Sequence, residues 1–142
     1  MIILDTDAVT FLQRRDNATA KRLQARLTAL SSEEEIVTTV VTYEEQTRGW
    51  FALFSQAKNS ASLIAAYERL LHHLDDYKKI RVIPYSSVAE VQFQELRRQK
   101  IRIGTRDLRI ASIALSLGAT VFTRNLQDFG QVPKLLIEDW TK

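Results

Sequence analysis

The sequence predicts an α/β fold in which helices cover both faces of a mostly parallel sheet. Short apolar segments alternate with longer segments of helical periodicity, which is typical of parallel strands joined by helices. The hydrophobic content of 45% and the presence of only 2 prolines favour a compact chain. At 142 residues the chain is long enough to bury a core but short for two ordinary domains. We therefore expect one domain over residues 1–142 with three α/β/α layers.

The first half of the chain is predicted to alternate two strands with four helices. In chain order these are strand 2–4, helix 7–15, helix 17–30 with Asn17 as its N-cap, strand 36–38, helix 40–57, and a helix that follows Asn59 and runs towards Tyr77. The last of these carries leucine and isoleucine at intervals of three and four residues, which indicates one apolar face. Trp50, Phe51 and Phe54 are interpreted as core residues, and an aromatic groove for a partner peptide is the alternative.

The second half continues the alternation. Strands are predicted at 80–83, 121–123 and 135–138, and a helix over 87–100 that opens with a capping box formed by Ser87 and Glu90. Thr105 is expected to cap the next helix, and Gly118 to end it. The short strands are apolar throughout and do not alternate with polar residues. We therefore expect helices to cover both faces of the sheet.

Three carboxylates stand at the ends of predicted elements. Asp5 follows the first strand, Asp107 lies in the first turn of a helix, and Asp128 comes just after a strand. Because the carboxyl ends of parallel strands meet at one edge of a sheet, these acids can converge there. Hard oxygen ligands suit Mg²⁺ or Mn²⁺ and phosphodiester chemistry. Taken singly, each acid has a simpler explanation as a helix cap, a partner of the helix dipole or a turn residue.

Two adjacent glutamates lie on the helix over 40–57, where their side chains point about 100° apart. Glu44 has Arg48 four residues later, which predicts an exposed ion pair. Glu45 has Gly49 at the same spacing, which leaves room beside it, so we expect Glu45 to face the acidic cleft. A capping box between Thr42 and Glu45 is the alternative.

A basic segment leads into Asp107. The formal net charge of the chain is only +3, but basic side chains cluster at Arg97, Arg98, Lys100, Arg102, Arg106 and Arg109. Beside a carboxylate cluster this segment predicts attraction of a polyanion, with Arg98, Arg102 and Arg106 as candidate phosphate contacts. A solvated helix face is the alternative.

Composition excludes several classes of site. The chain has no cysteine, which excludes disulfides, thiolate zinc sites and a cysteine nucleophile, and is compatible with a reducing compartment. We see no signal peptide and no apolar run long enough to span a membrane. We therefore expect a cytoplasmic protein with no membrane partner.

Four segments together resemble the acidic motifs of the PIN-domain nucleases. They are Leu4 to Asp7, Thr42 to Gly49, Ile103 to Ala111, and Thr123 to Phe129, and their wording is most similar to the VapC-like toxins of bacterial toxin-antitoxin pairs. The resemblance implies a metal-dependent endoribonuclease in which Asp5, Glu45, Asp107 and Asp128 are catalytic. Asp5, Asp107 and Asp128 would bind Mg²⁺ or Mn²⁺, with Asp7, Thr123 and Asn125 as supporting polar residues, Asp7 acting as a helix cap or a partner of the ligands. Water would attack phosphorus and leave 3′-hydroxyl and 5′-phosphate ends.

The resemblance also implies partners. These are an RNA substrate, an antitoxin whose C-terminal segment lies in a groove near the acids, and a second toxin copy in a homodimer. Two alternatives remain open. Asp5 and Asp7 also resemble the nucleophile motif of haloacid-dehalogenase-like phosphatases, in which Asp5 would form a phospho-aspartate and Asp7 would act as acid and base. A non-catalytic PIN-like module that binds RNA or protein is the other.

Overall fold

The computed structural model describes residues 1–14 and 17–142. The predicted end of the first helix at Arg15 lies outside the described residues. The elements in chain order are β1 (Ile2–Leu4), α1 (Thr6–Gln13), α2 (Ala18–Thr28), β2 (Ile36–Thr39), α3 (Val40–Gln56), α4 (Ser60–Tyr77), β3 (Arg81–Ile83), α5 (Ser87–Arg98), α6 (Thr105–Leu117), β4 (Thr120–Phe122), α7 (Leu126–Phe129) and β5 (Leu136–Glu138).

The five strands form one sheet in the order β3-β2-β1-β4-β5, and every adjacent pair is parallel. The predicted α/β fold with a parallel central sheet is therefore confirmed. The chain runs outwards from β1 through β2 to β3, then returns to the other side of β1 for β4 and β5. The strand order thus reverses between β1 and β4, the position at which α/β sheets open a crevice at their carboxyl edge.

Each face of the sheet packs against its own set of helices. Ile3 of β1 points into a cluster with side chains of α5, α6 and α7, whereas its neighbours Ile2 and Leu4 point into a cluster with α1 and α2. Successive strand residues face opposite sides, so both faces need cover and the strands are apolar throughout. Burial of one such aliphatic side chain stabilises the fold by about 1.5–3 kcal/mol. These two clusters make the three layers.

The hairpin of α3 and α4 differs from the prediction. Phe51, predicted to be in the core, is 53% exposed, and the apolar face of α4 is open at Ile64, Tyr67 and Leu71. A helix of 17 residues is about 26 Å long, whereas strands of three or four residues span only about 10–13 Å. The hairpin therefore extends past the sheet, and its outer part has only the partner helix to pack against.

Two predicted helix caps are also wrong. Ser86, not Ser87, caps α5, and its hydroxyl accepts a hydrogen bond from the Ala89 amide. Glu90 does not reach back to complete a capping box, because its carboxylate accepts from the Tyr85 hydroxyl. Gly104 begins α6 without any side-chain cap, since Thr105 is already helical. Gly118 ends α6 with φ 62°, a left-handed conformation that glycine adopts without strain.

Within residues 1–14 and 17–142, no helix is both long enough and apolar enough to cross a bilayer.

Candidate active site

The acidic side chains lie near one another at the carboxyl edge of the sheet, beside the point where the strand order reverses. Asp5 follows β1, and the segment from Thr123 to Asp128 follows β4. Asp107 comes from the first turn of α6 and Glu45 from the second turn of α3. Charge interactions link these acids. The negative charges of Glu45 and Asp128 raise the pKa of Asp107, and the charge of Asp107 raises the pKa of Asp5. The acids that the sequence predicts to converge thus lie within range of one another's charge, and their binding of a shared metal ion stays a prediction.

Asp5 is a buried carboxylate that also caps a helix. It is only 5% exposed, and its Oδ1 accepts a hydrogen bond of 2.8 Å from the Ala8 amide at the start of α1. Burial raises its pKa from 3.8 to about 6, while hydrogen bonds from Thr123 and Ala8 oppose the rise and the charges of Asp7 and Asp107 add to it. The cap explanation is therefore confirmed for Asp5, and its role in a metal site stays a prediction.

Asp107 is half-buried, and its pKa is also raised to about 6. Burial is the largest cause, followed by the negative charges of Glu45, Asp128 and Asp7. An open cavity of about 410 Å³ is lined by Glu45 and residues 104–107. Glu45, Asp128 and Asp7 thus surround Asp107 with negative charge beside this cavity. A negative potential of this kind favours binding of a cation.

Glu45 is held from two sides. Its Oε2 accepts a hydrogen bond of 2.7 Å from the Thr6 hydroxyl, and its Oε1 lies 3.6 Å from Nη1 of Arg106. The predicted ion pair between Glu44 and Arg48 is present at 3.1 Å on the exposed side of α3. Glu45 therefore faces the cleft and Glu44 faces away, as the helical spacing predicts.

The alternative capping box between Thr42 and Glu45 is wrong. Thr39 caps α3, and its hydroxyl accepts from the Thr42 amide at 3.2 Å. Thr42 thus lies inside the first turn with its own hydroxyl directed towards Thr6, at a distance of 3.2 Å between the two oxygens.

Asp128 is oriented by the turn that precedes it. The side-chain amide of Asn125 donates to its Oδ2 at 3.0 Å, while the Asn125 Oδ1 accepts from the Asp128 amide at 3.3 Å. The buried Thr123 hydroxyl accepts from the Asn125 amide at 2.9 Å and also stands beside Asp5. Thr123 and Asn125 therefore connect the two carboxylates at the reversal of strand order, and their supporting role in a metal site stays a prediction.

Asp7 is exposed and does not cap α1, because Asp5 does. It pairs with Arg124 at 3.3 Å, and the guanidinium of Arg124 lies 4.5 Å from the centre of the Phe11 ring. Sequence reasoning missed both Arg124 and Thr6. Neither contact has a local signal, since Arg124 lies 117 residues from Asp7 and Thr6 lies 39 residues from Glu45.

The three arginines predicted to bind RNA have different surroundings. Arg98 is exposed near the end of α5 and pairs with Glu95 at 2.8 Å. Arg102 is exposed in the connection to α6. Arg106 lies against Glu45 and lines the cavity. Only Arg106 is therefore in contact with the predicted acids.

The cleft holds the Arg106 guanidinium, but its other polar groups are carboxylate, hydroxyl and amide oxygens, which suit a hard divalent cation. Over the described part of the chain, however, no three acidic or histidine side chains are gathered tightly enough to hold a metal ion. Asp5 and Asp128 each have an oxygen engaged by a neighbouring amide. This arrangement fits an ion that keeps most of its water shell, as Mg²⁺ does, better than one enclosed by side chains.

Comparison with known proteins gives consistent results. The model of the PIN domain family matches residues 2–135. The protein called Ribonuclease VapC1 of Haemophilus influenzae strain R2866 is 30% identical over 142 residues, covering 99% of this chain and 98% of that protein. The structure of VapBC-1 from nontypeable Haemophilus influenzae superposes with a TM-score of 0.70 at 28% identity and covers 100% of both chains. FitAcB from Neisseria gonorrhoeae shares the fold, with a TM-score of 0.71 at 21% identity over 99% of this chain and 98% of that one.

Proposed function

This chain belongs to the PIN domain family, and we propose on that premise that it is a metal-dependent endoribonuclease, the toxin of a toxin-antitoxin pair. The observation that carries the proposal is the group of acids around Asp107, whose pKa is raised to about 6 by burial first and then by the charges of Glu45, Asp128 and Asp7. Its full-length similarity to Ribonuclease VapC1 supports RNA as the substrate. The haloacid-dehalogenase-like alternative is wrong, because the family match extends over residues 2–135.

We propose that Asp5, Asp107 and Asp128 hold Mg²⁺ or Mn²⁺, directly or through its waters, within one nuclease domain spanning 1–142. When bound, such an ion neutralises charge on the phosphate and makes a bound water more acidic. The raised pKa values of Asp5 and Asp107 support this assignment, because carboxylates that repel one another are stabilised by a cation between them.

Glu45 has a different proposed role. Its Oε2 is occupied by Thr6, so Oε1 is the oxygen left to accept a proton from the attacking water. Arg106, now 3.6 Å from Oε1, is placed to bind the phosphate of the substrate and to return to Glu45 afterwards. Water attack in line with the leaving 3′-oxygen gives products with 3′-hydroxyl and 5′-phosphate ends.

We further propose that an antitoxin and a second copy of this chain are its protein partners. The VapBC-1 structure, at 28% identity, supports an antitoxin. The exposed apolar side chains of α4, such as Ile64, Tyr67 and Leu71 at 58–60%, support burial by a partner, since contiguous apolar surface usually marks an interface.

The proposal is tested by incubating the purified chain with total bacterial RNA in Mg²⁺ or in excess EDTA and mapping the new ends. We expect cleavage with 5′-phosphate ends in Mg²⁺, none in EDTA, and none by Asp107→Asn in either. Asp75→Asn, an exposed carboxylate on α4, is the control and should cleave like the wild type. Mg²⁺ should also raise the Tm of the wild type more than that of Asp107→Asn.

Equal cleavage in EDTA would show that the metal assignment is wrong. Binding of RNA without cleavage, with Mg²⁺ present, would favour the non-catalytic module instead.

A further inference from the structure

A chain of hydroxyl groups leads from the end of β2 to the Glu45 carboxylate. The Thr39 hydroxyl lies 3.5 Å from that of Thr42, Thr42 lies 3.2 Å from Thr6, and Thr6 lies 2.7 Å from Oε2 of Glu45. These four residues come from β2, α3 and α1. The shortest contact of the chain is the one to the carboxylate.

The direction of these hydrogen bonds follows from proton counting. An ionised carboxylate only accepts, so the single hydroxyl proton of Thr6 is donated to Glu45. The contact between Thr6 and Thr42 must then be donated by Thr42, and that between Thr42 and Thr39 by Thr39. Every hydroxyl is thus committed to one orientation, which ends on one oxygen of Glu45.

Solvent cannot take the place of this chain at its inner end. Thr39 and Thr42 are both 0% exposed, so water cannot replace either hydroxyl once it is removed, and the threonine hydroxyl that it contacts loses one hydrogen bond. At the outer end, the other oxygen of Glu45 faces Arg106 and the cavity. The buried threonines therefore fix the inner oxygen while the outer oxygen stays available.

We propose that Thr6 is a positioning residue for Glu45, and that Thr42 aligns Thr6 for this task. Thr6 acts through Glu45 and does not touch the substrate; its hydroxyl fixes the rotamer that points the free oxygen at the cleft. This inference rests on the proposed role of Glu45 in cleavage. Loss of a hydrogen bond that orients a reacting group commonly costs about 10–100-fold in activity.

The test is a cycle of variants in the RNA cleavage assay with Mg²⁺ present. Thr6→Val keeps the shape of the side chain and removes its donor, Thr6→Ser keeps the donor, and each is made with Glu45 intact and with Glu45→Gln. Thr10→Val is the matched control, because Thr10 lies one turn later on α1 and its hydroxyl donates to the Thr6 carbonyl at 2.8 Å, not to an acid.

We expect Thr6→Val to lower kcat about 10–100-fold with KM within about twofold, and Thr6→Ser to restore kcat to within about threefold. Thr42→Val should act in the same direction with a smaller effect. In the Glu45→Gln background, Thr6→Val should cause no further loss, because the group it positions is already disabled. Thr10→Val should keep wild-type kcat, and the Tm of each variant shows whether it is folded.

The outcomes separate the two hypotheses. If Glu45→Gln is inactive while Thr6→Val keeps wild-type kcat, the positioning role is overturned and the proposed function stands. If Thr6→Val loses equal activity in both backgrounds, Thr6 acts independently of Glu45 and the inference is again wrong. If Glu45→Gln itself cleaves like the wild type, the proposed role of Glu45 fails, and the inference fails with it.

Discussion

The buried Asp5 makes a specific prediction about stability. Asp5→Asn should stabilise the metal-free protein near neutral pH, although it should abolish cleavage. Asparagine keeps an acceptor for the Ala8 amide and is as good an N-cap as aspartate, so the helix start is preserved. It removes one of the two carboxylate oxygens that accept from Ala8 and Thr123, and with it a negative charge on a side chain that is only 5% exposed and close to Asp7 and Asp107.

The magnitude follows from the pKa. A rise from 3.8 in the unfolded chain to about 6 in the folded protein corresponds to about 3 kcal/mol of unfavourable free energy for the ionised form. Between pH 4 and 6 the folded state holds a proton that the unfolded state has lost, so the free energy of unfolding of the wild type falls as pH rises through that window. The effect is complete above about pH 6.

The assay is thermal unfolding in EDTA at pH 4.0 and at pH 7.5, with circular dichroism as the signal that reports the folded fraction. We expect Asp5→Asn to have a Tm higher than the wild type by roughly 10 °C at pH 7.5, and a much smaller difference at pH 4.0. Asp75→Asn, an exposed acid on α4, should change little at either pH. A lower Tm for Asp5→Asn at pH 7.5, or a gain of the same size at pH 4.0, would refute the assignment of a buried, destabilising charge.

Two further predictions concern the cleavage reaction. Glu45→Gln should lower kcat by orders of magnitude, whereas Glu44→Gln should lower kcat less than about tenfold, because Glu44 only forms a surface ion pair with Arg48. The reverse order of the two kcat values would mean that Glu44, and not Glu45, lines the cleft. Arg102→Ala should weaken RNA binding and reduce the slope of log affinity against log salt by roughly one, as expected for the loss of one phosphate contact. An unchanged slope in a titration over several salt concentrations would return Arg102 to the role of a solvated surface residue.

The structure adds one constraint on the metal proposal that the sequence did not suggest. Three carboxylates at element ends imply a ready-made ligand set, but no such set is gathered in the described residues. Asp5 and Asp128 are partly committed to amides of their own turns, so an ion held there would keep water between itself and these carboxylates.

Much of the fold could be predicted because it depends on local patterns. The apolar segments at β1 and β2 and the glycine that ends α6 each carry a signal within a few residues, and the structure has all three where they were expected. The N-caps of α5 and α6 are Ser86 and Gly104, and each was predicted one residue too late. Neighbouring residues of similar capping ability differ only in backbone geometry, which the sequence does not specify.

The sequence alone determined that Asp5 follows a buried strand and that Glu44 and Glu45 point in different directions. Strand and helix periodicity fix which way each side chain points. The exposure of Phe51 and the pairing of Thr6 with Glu45 and of Arg124 with Asp7 were decided only by the tertiary structure. An apolar helix face is buried only if another element reaches it, and α3 extends past the short strands. A hydrogen bond across 39 residues exists only because the order of strands brings the start of α1 beside α3.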